Sequence, residues 1–139
     1  MNRPQLKARV LLVDDEADFA ASIKLQLERD FQTVDYVSDE EQALAMLEKN
    51  HYELVILDIM LHHDVGGLRL CRRLKAEPRW RNTPVMMLSS VDVSYGLSIK
   101  SFLTDGECLP AEDFVDKIQE PEEIVLRARR MVERLNDPG

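Results

Sequence analysis

Val10-Leu11-Leu12-Val13-Asp14-Asp15 is an unbroken apolar run that ends in two carboxylates. A strand buried on both faces shows such a run instead of strict alternation, and strands of that kind belong to parallel sheets covered by helices. The pattern recurs down the chain. Leu54-Val55-Ile56-Leu57 ends in Asp58, Val85-Met86-Met87-Leu88 ends in Ser89, and Phe114-Val115 leads through Asp116 to Lys117. Amphipathic stretches with helical spacing lie between these runs. In open α/β sheets ligands sit just beyond the carboxyl ends of the strands. Three carboxylates, a hydroxyl and an ammonium are therefore expected to converge on one rim.

At 139 residues, 45% hydrophobic and 32% charged, the chain is expected to form a single domain over 1–139, with its core at about 9–135 and no effector domain. The net charge of −8 argues against direct binding of nucleic acid, which needs clustered Lys and Arg to neutralise phosphates. The basic runs Arg72-Arg73-Leu74-Lys75, Arg79-Trp80-Arg81 and Arg127-Ala128-Arg129-Arg130 read as helix ends and solvated helix faces. No apolar stretch approaches the roughly 18 residues of a membrane span, and no charged start precedes an apolar segment. The cytoplasm is the expected location. Cys71 and Cys108 lack metal-like spacing and suit a reducing compartment as free thiols, with Cys71 on an apolar helical face.

The pass along the chain predicts strands at Ala8–Val13, Thr33–Val37, Glu53–Leu57, Val85–Leu88 and Asp113–Asp116. Phe19, Ile23 and Leu27, spaced by four, predict a helix over Glu16–Arg29. Ser38 with Glu41 three residues on is a capping box for a second helix, closed by Asn50. His62–Gly67 is a predicted loop whose paired glycines permit unusual backbone angles, and Leu68–Ala76 a third helix ended by Pro78. Leu97, Phe102 and Leu103 suggest a fourth helix between Ser90 and Glu112, interrupted by Gly96, Gly106 and Pro110. Pro121 followed by Glu122-Glu123 opens the last helix, which ends at Asn136. Five strands alternating with about five helices predict a three-layer α/β sandwich around a five-stranded parallel sheet of order 2-1-3-4-5.

Carboxylates packed together repel one another, so without a proton or cation between them at least one pKa must rise. A few oxygen ligands favour Mg2+, which prefers octahedral geometry and takes one or two carboxylates together with phosphate oxygens. Lys117 and Ser89 are suited to the phosphate: an ammonium offsets its charge and a hydroxyl bonds one of its oxygens. Asp58 is then free to attack phosphorus and form an aspartyl phosphate.

These segments resemble the receiver domain of two-component response regulators, of the stand-alone chemotaxis type, over about Arg9 to Leu135. Val13-Asp14-Asp15 resembles the family's acidic pair and Leu57-Asp58-Ile59-Met60 its phosphoacceptor segment. Leu88-Ser89-Ser90 is similar to its Thr/Ser signature, and Phe114-Val115-Asp116-Lys117 to its aromatic-x-x-Lys. The resemblance implies a flavodoxin-like fold, whose strand order 2-1-3-4-5 is already that of flavodoxin and the chemotaxis receiver. It implies that Asp15, Asp58 and the Met60 backbone carbonyl bind Mg2+ directly and Asp14 largely through water. Ser89 and Lys117 would contact the phosphoryl oxygens. A histidine kinase or phosphotransfer protein would phosphorylate Asp58, and slow autodephosphorylation would reverse it. Ser89 and Phe114 would form the switch, moving a surface of the fourth helix, the fifth strand and the last helix. Such a protein is a switch more than an enzyme. Its output would pass through an unidentified protein target, a homodimer or onward phosphotransfer.

Three features depart from the family's habit: Lys117-Ile118 replaces Lys-Pro, His62 stands in a slightly longer loop after Asp58, and Ser90–Glu112 is several residues longer. The alternative function is a receiver-like protein-binding module that is not phosphorylated. A true aspartate-nucleophile phosphatase lacks its Asp-x-Asp spacing at Asp58. A Ser89 hydrolase lacks a G-x-S-x-G elbow. The acidic pair by itself is also consistent with a helix cap, and His62-His63-Asp64 with a solvated loop rather than a metal site.

Overall fold

In the computed structural model, which describes residues 4–61, 66–89 and 112–135, the predicted runs become five parallel strands. The elements are β1 (Leu6–Val13), α1 (Ala17–Asp30), β2 (Phe31–Val37), α2 (Glu40–Lys49), β3 (Leu54–Asp58), α3 (Gly66–Ala76), β4 (Val85–Ser89), β5 (Asp113–Asp116) and α4 (Pro121–Leu135). The sheet order is β2-β1-β3-β4-β5, every neighbouring pair parallel, as the flavodoxin-like reading predicts. The segment predicted to form a helix around Leu97, Phe102 and Leu103 lies outside the described residues, as do His62, His63, Asp64 and Cys108. Among the described residues there are four helices, and none is long and apolar enough to cross a membrane.

The continuous apolar runs feed two cores at once. Successive strand residues point to opposite faces, so Val10, Leu12, Leu54, Ile56, Met86 and Leu88 join Ile23 and Leu27 of α1 and Ile124 and Val132 of α4. Leu11, Val13, Val55, Leu57 and Met87 meet Leu47 of α2 and Leu70 and Leu74 of α3 on the other face. Ile23, Leu27, Leu70 and Leu74 are fully buried, each removing an apolar side chain from water at a gain of about 1.5–3 kcal/mol. A buried ion pair, Arg129 to Asp30 at 3.2 Å, fastens α4 to the end of α1.

Several boundaries differ from the sequence reading. β1 and β2 each begin two residues early, and α1 passes into β2 without a loop, the Phe31 N–H still donating to the Leu27 carbonyl. The α2 cap lies one residue further on: Asp39, not Ser38, accepts the Gln42 N–H at 2.7 Å, while the Gln42 side chain accepts the Ser38 N–H at 3.1 Å. Both residues are good caps, and local pattern did not rank them. Asn50 closes α2 as predicted. Helix α3 starts at Gly66, not Leu68. Gly67 is required for space: a Cβ there would lie 1.6 Å from the Asp58 carbonyl oxygen. Its N–H donates to the Ile59 carbonyl at 3.0 Å, so α3 is pressed directly onto the end of β3.

Candidate functional site

Strands β1 and β3 are neighbours, with Val13 opposite Leu57, so the residues that follow, Asp14 and Asp58, emerge side by side. Asp14 is wholly buried and Asp58 is 1% exposed. Two backbone donors fix these carboxylates: the Glu16 N–H on Asp14 Oδ1 at 2.8 Å and the Met60 N–H on Asp58 Oδ1 at 3.1 Å. The Tyr36 hydroxyl of β2 donates to the Asp14 carbonyl at 2.7 Å. From the far side, the Lys117 N–H donates to the Ser89 carbonyl at 2.9 Å, bringing the end of β5 beside the end of β4. The Lys117 side chain, 6% exposed, then reaches back over the rim. Its Nζ lies 2.9 Å from Asp14 Oδ2, 3.1 Å from Glu16 Oε1 and 3.2 Å from Asp58 Oδ2.

The charges do not cancel. Three carboxylates share one ammonium, and Asp14 Oδ2 has an ion pair without hydrogen-bond geometry. Burial, and after it the charge of Asp14, pushes the Asp58 carboxyl up to about 7, against the opposing pull of Lys117. Asp14 is raised too, mainly by burial, with Lys117 and the Glu16 N–H opposing. Burial depresses the Lys117 ammonium, but Asp14, Asp58 and Glu16 together overcome that and hold it above its ordinary value. The rise anticipated for crowded carboxylates is present.

Carboxylate oxygens of Asp14, Glu16 and Asp58 lie within 4.8 Å of one another. This oxygen-only, anionic donor set, buried at Asp14 and Asp58 and exposed at Glu16, fits a hard divalent cation such as Mg2+. Ser89 ends β4, 8% exposed, and its hydroxyl has no partner among the described residues. A buried hydroxyl in that condition favours an incoming acceptor. Glu16 was read from the sequence only as the start of a helix; its position straight after the acidic pair was the available signal. Asp15 is outside the 4.8 Å group. With Asp14 its charge helps raise the Tyr36 hydroxyl, after burial. Phe114, opposite Met87 in β5, is half-buried against the α2–α3 core. Cys71 is fully buried, and burial pushes its thiol up to about 12, as a core role requires.

The chain is similar to Response regulator ArlR of Staphylococcus haemolyticus, 30% identical over 125 residues, covering 90% of this chain and 52% of the relative. Transcriptional regulatory protein ResD of Bacillus subtilis is 26% identical over 128 residues, covering 92% of this chain and 49% of ResD. The chain thus spans about half the length of these curated relatives. A response regulator structure from Chloroflexus aurantiacus J-10-fl matches with a TM-score of 0.74 and 29% identity, covering 93% of this chain and all of that one. A CheY-like receiver structure from Methanospirillum hungatei JF-1 shares the fold, with a TM-score of 0.76 at 19% identity, covering 96% of this chain and all of that one. The family model for the response regulator receiver domain matches residues 10–129, and the chain belongs to that family.

Proposed function

We propose that this receiver accepts a phosphoryl group on Asp58 in a Mg2+-dependent reaction and thereby switches a protein-binding surface. The carrying observation is the buried Asp58 carboxylate at the shared rim of β1 and β3, 3.2 Å from Lys117 and beside Asp14. The donor is a histidine kinase or a phosphotransfer protein, the partners with which receiver domains interact. An Asp58 oxygen attacks phosphorus while the bond from phosphorus to the donor imidazole nitrogen breaks. Hydrolysis reverses the state slowly: water attacks phosphorus, the bond to Asp58 breaks, and inorganic phosphate leaves.

Asp14, Asp15, Asp58 and the Met60 carbonyl would hold Mg2+, with Glu16 close by. Bound Mg2+ would neutralise the carboxylates and the incoming phosphoryl oxygens. Lys117 holds positive charge over the site, and Ser89 offers its hydroxyl to a phosphoryl oxygen. As Ser89 is drawn to that oxygen, Phe114 packs into the space released, and the faces of β5 and α4 change with it. The output is a contact with another protein, a second copy of the chain or a further phosphotransfer partner.

Incubation with Mg2+ and acetyl phosphate, followed by intact mass measurement, tests this. A phosphoryl adduct that Asp58→Asn abolishes supports the reading. No adduct on the unmodified protein supports the inert binding module instead.

A further inference from the structure

We propose that Phe19 is a positioning residue for Lys117, its ring seating the ammonium at the acidic rim throughout phosphoryl transfer. The Lys117 Nζ lies 4.5 Å from the centroid of the Phe19 ring, within the range where a cation is attracted to an aromatic face. Phe19 sits in the first turn of α1 and packs against the core between the sheet, α1 and α4. Its ring is therefore held by the fold, not by the site.

Lys117 needs such a seat because its neighbours along the chain guide only its backbone. Ile118 is 82% exposed and makes no part of the core. Unlike proline it keeps an N–H, which donates to Asp116 Oδ1 at 3.0 Å, and the Gln119 N–H donates to the Asp116 carbonyl at 3.0 Å. Asp116 thus closes the turn and fixes where the lysine begins. The four-carbon stem beyond is flexible, and its ammonium is drawn toward three separate carboxylates at nearly equal distances. The attraction to Asp58 changes when that carboxylate becomes an acyl phosphate and the local charge is redistributed. The Phe19 ring carries no charge to lose. It keeps one side of the ammonium dry and bounded in both states.

The inference rests on Asp58 being the phosphoacceptor, and its test separates the two. Acetyl phosphate with saturating Mg2+ is applied to the unmodified protein, Phe19→Leu and Phe19→Tyr, and the initial rate of adduct formation is compared. Phe19→Leu, which keeps apolar bulk but removes the ring face, is expected to slow the reaction about 2- to 5-fold, and Phe19→Tyr to restore it. In parallel, the Lys117 ε-methylene protons are expected to resonate upfield through the ring current, an effect lost in Phe19→Leu and kept in Phe19→Tyr. An unmodified protein that takes no phosphoryl group overturns the phosphoacceptor reading while the NMR arm still judges the seat. Equal rates in all three proteins, Phe19→Tyr as slow as Phe19→Leu, or Lys117 ε-protons without an upfield shift in the unmodified protein would each overturn the proposal. The last holds even if Phe19→Leu does not fold.

Discussion

Replacing Asp58 by Asn should remove a pH dependence of stability that the acidic rim builds into the Mg2+-free protein. The folded-state carboxyl is raised from 3.8 to about 7, so between those values the native protein holds a proton that the unfolded chain has released. The stabilisation associated with that proton is fully present below about pH 4 and is lost as pH rises through about 7. At about 1.4 kcal/mol for each tenfold change in proton affinity, the ceiling is ~4 kcal/mol. Asp14 shares the same proton load and the rim relaxes, so about 1–3 kcal/mol is expected. Asn keeps the shape and carries no charge. Urea unfolding in EDTA, followed through Trp80 fluorescence, should give unmodified protein and Asp58→Asn similar stabilities near pH 4, with the variant more stable by that margin at pH 8. Added Mg2+ at pH 8 should then stabilise the unmodified protein more than the variant. Parallel stability curves from pH 4 to 8 would refute the argument that burial beside Asp14 governs Asp58.

Gly67→Ala puts a methyl group 1.6 Å from the Asp58 carbonyl oxygen; forcing α3 off β3 should cost more than about 2 kcal/mol and slow phosphorylation, measured by urea midpoint and adduct rate. Arg129→Ala removes the guanidinium 3.2 Å from Asp30, 4% exposed, and should cost about 1–3 kcal/mol by denaturation, whereas Arg129→Met with Asp30→Leu should recover most of that loss. Lys117→Met removes the ammonium shared by three carboxylates; adduct formation should fall at least about tenfold while Mg2+, followed by titration calorimetry, binds no more weakly.

The sheet was legible because its central strands, β1, β3 and β4, are buried on both faces over their apolar runs. The runs at Val10–Val13, Leu54–Leu57 and Val85–Leu88 need no alternation to be recognised, and the polar residue after each marks a rim. Asp14, Asp58 and Lys117 could be assigned to one place from strand order alone, because parallel strands deliver their carboxyl ends to the same side. Glu16 was less legible: its place straight after the acidic pair was the one local signal, and its contact with a lysine 101 positions away in the chain is encoded by no local spacing. Gly67 was read as conformational freedom, whereas the structure requires the missing Cβ, a distinction visible only once α3 rests on Asp58. The α2 cap failed by one residue because Ser38 and Asp39 carry the same hydrogen-bonding chemistry, and only the path of the backbone selects between them.

The fold holds the rim in a state it does not fully satisfy. Three carboxylates face one ammonium, Asp14 and Asp58 resist ionisation, and the Ser89 hydroxyl is buried without a partner among the described residues. An unpaired buried hydroxyl costs about 1–3 kcal/mol, and an acceptor oxygen arriving on Asp58 would relieve that cost only in the conformation that brings Ser89 to it. A difference of this size between two packings changes their ratio by roughly 5- to 150-fold. In the proposed function that is enough for a switch: phosphorylation need not drive the β5 and α4 face by force, because satisfying groups the unphosphorylated fold leaves in conflict already favours one arrangement over the other.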